Sequence, residues 1–367
     1  MKVLLLGGCA DMAGPLISKL ADDSAFTEVT VADLNKEKAE EIAGKKRKFK
    51  SAYVNANDFS LLVCLMQEHD FSIGYIGPFY YYEKIMVKAA LEAGRDYISI
   101  SDDYDAYLEI LKFEEEACTK GIKILTGFGN SPGLTQVLAK KGYLALDKPE
   151  KINVHWCAGS DEPVGPSNLA HLFHIFTGTT LQWLNGNEVS VKTGTGKKIV
   201  HFPDPIGLNP VYYTGHAESV SLPRNLPGLT EVTLHGGVKP PYIVTLLKLL
   251  AALGLTSNHK KRLAAARFFH RIESWFASSG NNKSVGRVDV SGQNSSGQNE
   301  QVSFCYVGHI ADITSLPCYL AAKWLAEGKW NQKPGGIYAA ERLIDNPDQF
   351  IGELENLGVT IKNSWER

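Results

Sequence analysis

The opening fourteen residues, MKVLLLGGCADMAG, constrain the fold more than any other stretch. Val3 to Leu6 is short and wholly apolar, the pattern of a strand buried on both faces of a parallel sheet. Gly7-Gly8 makes a tight turn, and a helix starting near Asp11 carries Leu16, Ile17 and Leu20 at helical spacing. Strand, glycine turn and helix in that order form the first unit of a dinucleotide-binding sheet. In such a unit, N–H groups at the helix N-terminus hold a pyrophosphate. Set against the pattern G-x-G-x-x-G/A, the chain has Gly8, Ala10 and Ala13, with Gly14 next. Ala10 puts a methyl group where the backbone should approach the pyrophosphate. Gly8, Ala10, Asp11, Met12 and Ala13 are the cofactor candidates in this turn; the alternative is a turn that only lets the first helix pack closely.

Glu28 to Ala32 is a β-rich run, and Asp33 follows it, 25 residues after Gly8. An acid about 20 residues beyond the glycine turn grips a ribose 2′-hydroxyl and repels a 2′-phosphate. Asp33 therefore favours NAD over NADP, although Lys36 and Lys38 keep NADP open. Asp33 also suits a helix N-cap, and both roles are compatible.

With 367 residues the chain has length for two domains, and 44% hydrophobic with 21% charged residues marks a folded globular protein. The net charge of −2 and the lack of a basic block beyond Lys45 to Lys48 argue against nucleic acid as a partner. No charged n-region and cleavage site precede the first strand, so no secretory signal is expected. The six cysteines form no C-x-x-C and read as free thiols in a cytoplasmic protein. Tyr242 to Leu255 is the most apolar stretch, but Lys248 interrupts it and it is too short for a membrane span. It reads as a buried or interface helix.

Further strands are expected at 50–56, 71–76, 97–100 and 122–125, with helices between them starting at Asn57-Asp58, running from Ile85 to Gly94, and running after Asp103 to Gly121. This alternation predicts an α/β, doubly wound parallel sheet of Rossmann type. In that fold the ligand crevice lies at the carboxyl ends of the strands. Gly77-Pro78-Phe79 and Ser101-Asp102 fall there, as does the loop Gly127 to Gly133, which contains Gly129 and Asn130. After residue 133 the texture changes. A strand at 152–157, turn signals at 185–187, 194–198 and 203–210, and a hairpin of 287–291 with 301–307 predict a second α+β domain on a mixed sheet. Helices are expected over 260–276, 316–327 and 347–357, with a last extended run at 359–362. The expected divisions are 1–130, a dinucleotide-binding domain; 131–330, a substrate-binding and dimerisation domain; and 331–367, a segment packing back near the first.

Residues 74–134 contain GYIGPFYYYEKIMVKAALEAGRDYISISDDYDA and then GFGNSPGLTQVLAKKG. This order resembles the saccharopine dehydrogenase-like family, which includes saccharopine reductases, lysine dehydrogenases, and carboxynorspermidine and homospermidine synthases. The family shows a Pro-Phe turn after strand four, a helix ending Glu-Ala-Gly, Tyr-x-x-(Ser/Asp)-x-Ser-Asp, and G-x-G-x-(S/A/D)-P-G-(L/I). GGCADMAG, GHAESVSLPRNLPGL and GGIYAAERLIDNPDQFIGELENLGV are similar to other family segments. Ala10 and Ala340 depart from the pattern, standing where the family has glycine and, often, proline. The resemblance implies an NAD(P)-dependent oxidoreductase acting on the CH–NH group of an amino acid, amine or imine. It also implies a second domain covering the site and forming a homodimer.

Hydride transfer needs the substrate carbon held over the nicotinamide, water excluded, and the amine deprotonated. Asp102 is the catalytic candidate, binding a substrate ammonium or taking its proton, with a helix N-cap as the plainer role. Gly129 and Asn130 border the substrate region. Arg224 can hold a substrate carboxylate, or be a surface or dimer-interface arginine. His216 can relay a proton, or be a structural histidine. His171 and His174 lie three apart on one helical face, but no third ligand has motif spacing, so no metal is expected. Tyr80 and Lys84 form a Y-x-x-x-K that comes too early in the chain for the short-chain dehydrogenase pair. A non-catalytic NAD(P) sensor or scaffold is the competing reading. An enoyl or carbonyl reductase is a third, and it predicts a long apolar pocket in the second domain, involving Tyr242 to Leu255.

Overall fold

The computed structural model describes residues 1–160, 162, 165–272 and 282–363. The strands are β1 (Lys2–Leu6), β2 (Glu28–Asp33), β3 (Phe49–Tyr53), β4 (Phe71–Gly74), β5 (Asp96–Ser99), β6 (Lys123–Leu125), β7 (Lys148–Gly159), β8 (Thr179–Leu184), β9 (Asn187–Lys192), β10 (Lys198–His201), β11 (Leu208–Tyr213), β12 (Glu231–Lys239), β13 (Ser284–Gln293), β14 (Asn299–Gly308), β15 (Gly336–Tyr338) and β16 (Thr360–Asn363). The helices are α1 (Gly14–Asp22), α2 (Lys36–Gly44), α3 (Phe59–Gln67), α4 (Phe79–Ala93), α5 (Tyr104–Ile110), α6 (Glu114–Lys120), α7 (Leu134–Ala145), α8 (Pro166–Ile175), α9 (Glu218–Asn225), α10 (Tyr242–Ala252), α11 (His259–Ile272), α12 (Ile310–Ala326), α13 (Ala340–Leu343) and α14 (Pro347–Asn356).

The first sheet has the order β15-β6-β5-β4-β1-β2-β3, and its pairings are all parallel. Strand order reverses at β1 and β4, the switch point where doubly wound sheets open their ligand crevice. Val3 to Leu6 are fully buried because helices cover both faces. Gly7 follows with φ +79°, and a Cβ there would stand 2.8 Å from the backbone of Tyr75 and Ile76. Only glycine fits a left-handed turn with a neighbouring strand end so close.

The second sheet runs β10-β11-β12-β7-β13-β14-β16, with β8 pairing to β12 and β9 to β8. It is mixed: β12 pairs with β7 in parallel and the other neighbours are antiparallel. The expected hairpin is β13 and β14, and the strand expected at 152–157 is longer, spanning β7. The C-terminal segment gives one strand to each sheet, β15 to the first and β16 to the second.

One expectation needs correction, and another runs past the described residues. The helix expected from Asp103 to Gly121 is two helices, α5 and α6, separated by a 3-10 turn at Leu111–Phe113. The helix expected over 260–276 is α11; residues 273–276 lie outside the described residues.

Helix α12 is the seam between the two sheets. It packs along α1 and on the 3-10 turn Asp11–Ala13 that precedes it. The Ser315 hydroxyl donates to the carbonyl of Met12 and lies 2.8 Å from the Tyr75 hydroxyl. Tyr319 donates to Asp23 at 2.8 Å, on the far end of α1. The glycine turn is thus braced by a helix from the other end of the chain.

Candidate active site

Asp33 ends β2, as its spacing requires, and its carboxylate is committed at both oxygens. Oδ2 accepts from the Cys9 N–H at 3.0 Å and Oδ1 from the Asn35 N–H at 2.9 Å. The helix cap after β2 is Asn35, whose Oδ1 accepts from Lys38 N–H at 3.0 Å. Lys38 reaches back to the Cys9 carbonyl at 2.9 Å. The glycine turn, its acid and one lysine therefore form one hydrogen-bonded rim. Gly8, Ala10, Asp11, Met12 and Ala13 lie on the turn and its 3-10 continuation.

Across the crevice, the segment after β5 pairs with the segment before α9. Asp103 and His216 form an isolated antiparallel bridge, and Ala217 N–H donates to the Asp102 carbonyl at 3.1 Å. This places Asp102 and His216 side by side although 114 residues separate them. Helix α8 brings His171 between them. His171 Nε2 lies 3.2 Å from Asp102 Oδ2 and 3.2 Å from His216 Nε2, and its Nδ1 donates to Asp103 Oδ1 at 2.9 Å. His174, one turn later, pairs with Asp105 at 3.0 Å. Asp103 Oδ2 also accepts from the Tyr80 N–H at 2.7 Å, tying the cluster to the first turn of α4.

The network fixes the ring protons. Ser131 and Thr135 both donate to Glu218 Oε1, so the Ser131 hydroxyl oxygen is the acceptor for His216 Nδ1 at 3.4 Å. His216 Nε2 then presents its lone pair to His171. Trp156 stacks on His216 with centroids 5.3 Å apart and planes 7° apart, which holds the ring in that orientation.

Burial and neighbouring charge shift these groups in opposite directions. Burial pushes Asp102 up to about 7, with the Asp103 carboxylate adding to it and the His171 cation opposing. Burial would lower His171, but the Asp102 and Asp103 carboxylates reverse this and hold it up at about 9. Asp103 stays low despite its burial, because His171 and His174 face it. Burial and the His171 cation take His216 down to about 3, so it is neutral. Deeper in, burial raises Glu218 and Glu83 to about 7 each; Glu83 accepts from Ser99 at 2.5 Å, Tyr97 at 3.1 Å and Thr126 at 3.4 Å.

Beside the cluster is a cavity of about 310 Å³. Met12 from the glycine turn and Phe79 from the turn after β4 line one part of it, with Asp102, Asn130, His171 and His216 among the polar groups. Ile175, Val238, Tyr242, Ile243, Leu246 and Phe269 supply an apolar wall. Asp102 Oδ1 and Asn130 Oδ1 are buried with no hydrogen-bond partner, polar atoms left for a ligand. These orphans, the Gly7 turn and Asp33 fit a dinucleotide lying from the glycine turn into the cavity. Gly77 accepts from Ser167 of α8 at 3.2 Å through its carbonyl, Pro78 is the N-cap of α4, and Ser101 is buried after β5. Gly129 bonds within its own loop, N–H to Pro132 carbonyl, and Gly133 closes that loop with φ +112°.

Several expectations change. Asp102 caps no helix: α5 begins at Tyr104 with Asp103 as N-cap, and no side chain bonds the cap. Arg224 does not line the cavity; its guanidinium is held by Glu188 and the Val220 carbonyl. No lysine or arginine among the described residues lines the cavity. Tyr80 and Lys84 do not act together, since Tyr80 hydroxyl meets His259 Nδ1 at 3.1 Å and Lys84 pairs with Glu109. The third ligand missing from the His171 spacing comes from distant segments. Asp102, His171 and His216 form one group that could hold a metal, and Asp103, Asp105 and His174 a second. Hydrogen bonds nevertheless satisfy both ring nitrogens of His171 and of His216 without an ion. Asp103, Asp105, Glu83, Trp156 and Glu218 are site residues that sequence reading missed.

Comparison with known proteins agrees with this geometry. Residues 3–125 match the saccharopine dehydrogenase NADP binding domain. The chain is 24% identical to carboxyaminopropylagmatine dehydrogenase of Synechocystis sp., over 98% of this chain and 96% of that one. Among solved structures, it is similar to apo saccharopine dehydrogenase (L-Glu forming) from Saccharomyces cerevisiae, with a TM-score of 0.72, 16% identity and 99% of each chain covered. It is also similar to amine dehydrogenase from Mycobacterium smegmatis, with a TM-score of 0.52, 11% identity, and 95% of this chain and 98% of that one covered.

Proposed function

We propose that the chain is a saccharopine dehydrogenase-like, NAD(P)-dependent oxidoreductase, a reading that its similarities support, and that it moves hydride at the CH–NH carbon of an amine or amino acid held in the cavity beside Asp102 and His171. The observation that carries this reading is the Asp102–His171 contact at a cavity that Met12 and Phe79 also line. When bound, the nicotinamide supplies the hydride acceptor or donor. The protein's own part is the proton. An amine must lose its proton before its carbon gives up hydride. Asp102 is the base, with an affinity raised by burial to suit that transfer. His171, pinned by Asp103, holds Asp102 ionised and orients it. His216, Ser131 and Glu218 continue the hydrogen-bonded chain inward and give the proton a place to be shared.

NAD is the favoured cofactor because Asp33 ends β2, and Lys38 at the same rim leaves NADP as the alternative. The domain expectation carries over as part of this reading, with residues 1–130 holding the cofactor and the second sheet closing over it. Six free cysteines support a cytoplasmic setting, and the family resemblance is the support for a homodimer.

One observation favours a second reading. The apolar wall of Tyr242, Ile243 and Leu246 is the pocket expected of an enoyl or carbonyl reductase. The deciding experiment offers NAD or NADP with amines, amino acids, saccharopine, carboxyaminopropylagmatine and apolar enones, and follows reduced cofactor by absorbance. Turnover on an amine or its imine is expected. Turnover on the enones alone selects the second reading, and tight cofactor binding without any turnover selects the sensor.

A further inference from the structure

We propose that α10, with cations from α11, is a docking surface for an anionic phospholipid bilayer. Tyr242 to Ile272 contains six lysines and arginines and no aspartate or glutamate, in a chain whose net charge is −2. Lys248, Lys260, Lys261, Arg262, Arg267 and Arg271 form no ion pair among the described residues. Lys260, Arg267 and Arg271 are exposed.

The outer face of α10 is apolar. Val244 and Leu247 are its buried side, toward β12. Tyr242, Thr245, Leu249, Ala252 and Leu253 fall on the opposite side at spacings of three, four, three and one, and all five are exposed. Tyr242 is 55%, Leu249 54% and Leu253 64% exposed, and Leu255 just beyond and Phe268 on α11 are similar. Lys261 and Arg262 bond backbone carbonyls and Lys248 lies over the Tyr212 ring, so no carboxylate neutralises these charges. Isolated exposed leucines are ordinary on a protein surface, but a helical stripe of them beside cations with no acidic partner is the pattern of an interfacial helix. The outer face of this helix, expected to be buried or at an interface, is uncovered in the described structure.

Charge chooses the occupant. A second copy meeting this face across a two-fold axis would set its exposed cations against like charges. An anionic bilayer accepts the apolar stripe and neutralises the cations together. Tyr242, Ile243, Leu246 and Phe269 also line the cavity, so a docked molecule would hold that wall at the lipid surface. No helix of the described structure is long and apolar enough to cross a membrane, so the contact is peripheral. The inference does not depend on which reaction the cavity supports.

The test is flotation of the full chain with phosphatidylglycerol–phosphatidylcholine vesicles and with pure phosphatidylcholine vesicles, at low and high salt. Binding to the anionic vesicles only, weakened by salt, is expected. Leu249→Glu with Leu253→Glu should reduce the bound fraction ~10-fold or more, while NAD(P) affinity and Tm are unchanged because both side chains are exposed. No flotation with anionic vesicles overturns the proposal. So does sedimentation showing that the wild type is a dimer which the same double variant splits, since a second copy then covers the face.

Discussion

Asp102 Oδ2 and His171 Nε2 lie 3.2 Å apart, and they join a loop after β5 to a helical residue 69 positions further on. The pair supplies a carboxylate that burial makes basic and an imidazolium that two carboxylates keep charged. Asp102→Asn keeps the shape and removes the base. It should lower turnover by about a hundredfold or more, with cofactor affinity little changed in a fluorescence titration. Wild-type turnover in the variant removes Asp102 from the chemistry.

The same pair sets a pH profile. In the oxidative direction Asp102 must be ionised, so kcat/KM should rise as pH passes about 7. It should fall as pH passes about 9, where His171 loses the charge that holds Asp102. The two limbs belong to the coupled pair. The acid limb should vanish in Asp102→Asn if another base, or water, carries the residual rate; an unmoved limb near 7 would assign it to a different group.

Asp33 tests the ribose contact. Asp33→Ala should weaken NAD more than NADP, because a 2′-hydroxyl loses its acceptor while a 2′-phosphate is relieved of repulsion. Isothermal titration with both cofactors measures this, and equal losses would confine Asp33 to holding the Cys9 N–H.

Gly7 admits no side chain. Gly7→Ala forces a methyl group against the Tyr75 and Ile76 backbone in a left-handed conformation, and should cost about 1–3 kcal/mol with a lower Tm. Cofactor affinity should fall with it. A variant with wild-type Tm would show that the turn relaxes freely.

Glu83 gives a stability prediction with a definite sign. Burial raises its folded value to about 7 from an ordinary 4.5, so the folded state holds the proton more tightly. The stability it contributes is complete below about 4.5 and is lost as pH rises through about 7. Glu83→Gln does not titrate, so its Tm relative to the wild type should climb between pH 4 and pH 8, by the equivalent of about 1–3 kcal/mol. A Tm difference that does not change with pH would mean Glu83 is ionised in the folded protein.

The parallel half of the fold is legible because each strand–helix unit declares itself locally. The apolar run at Val3, the acid at Asp33 and the Gly94 helix stop are neighbours in sequence and in space. Asp102 was reachable too, through the rule that ligands gather at strand ends. Its partners were not. His171 and His216 reach Asp102 by long-range pairing of the 102–104 and 215–217 backbones and by the packing of α8, and no spacing encodes such a meeting. Arg224 takes the surface role that its residue type also allowed: Glu188, on the β8–β9 hairpin, claims its guanidinium. Glu83 sits mid-helix at a position that looks solvent-facing until β5 and β6 are laid beneath it.

The hydroxyl of Ser315 grips the Met12 carbonyl across 303 residues of chain. During synthesis, the first thirteen residues leave the ribosome long before the helix that braces them. A nascent chain therefore carries a recognisable nucleotide motif well before it has a rigid one. A fragment ending ahead of α12 inherits the motif without its buttress.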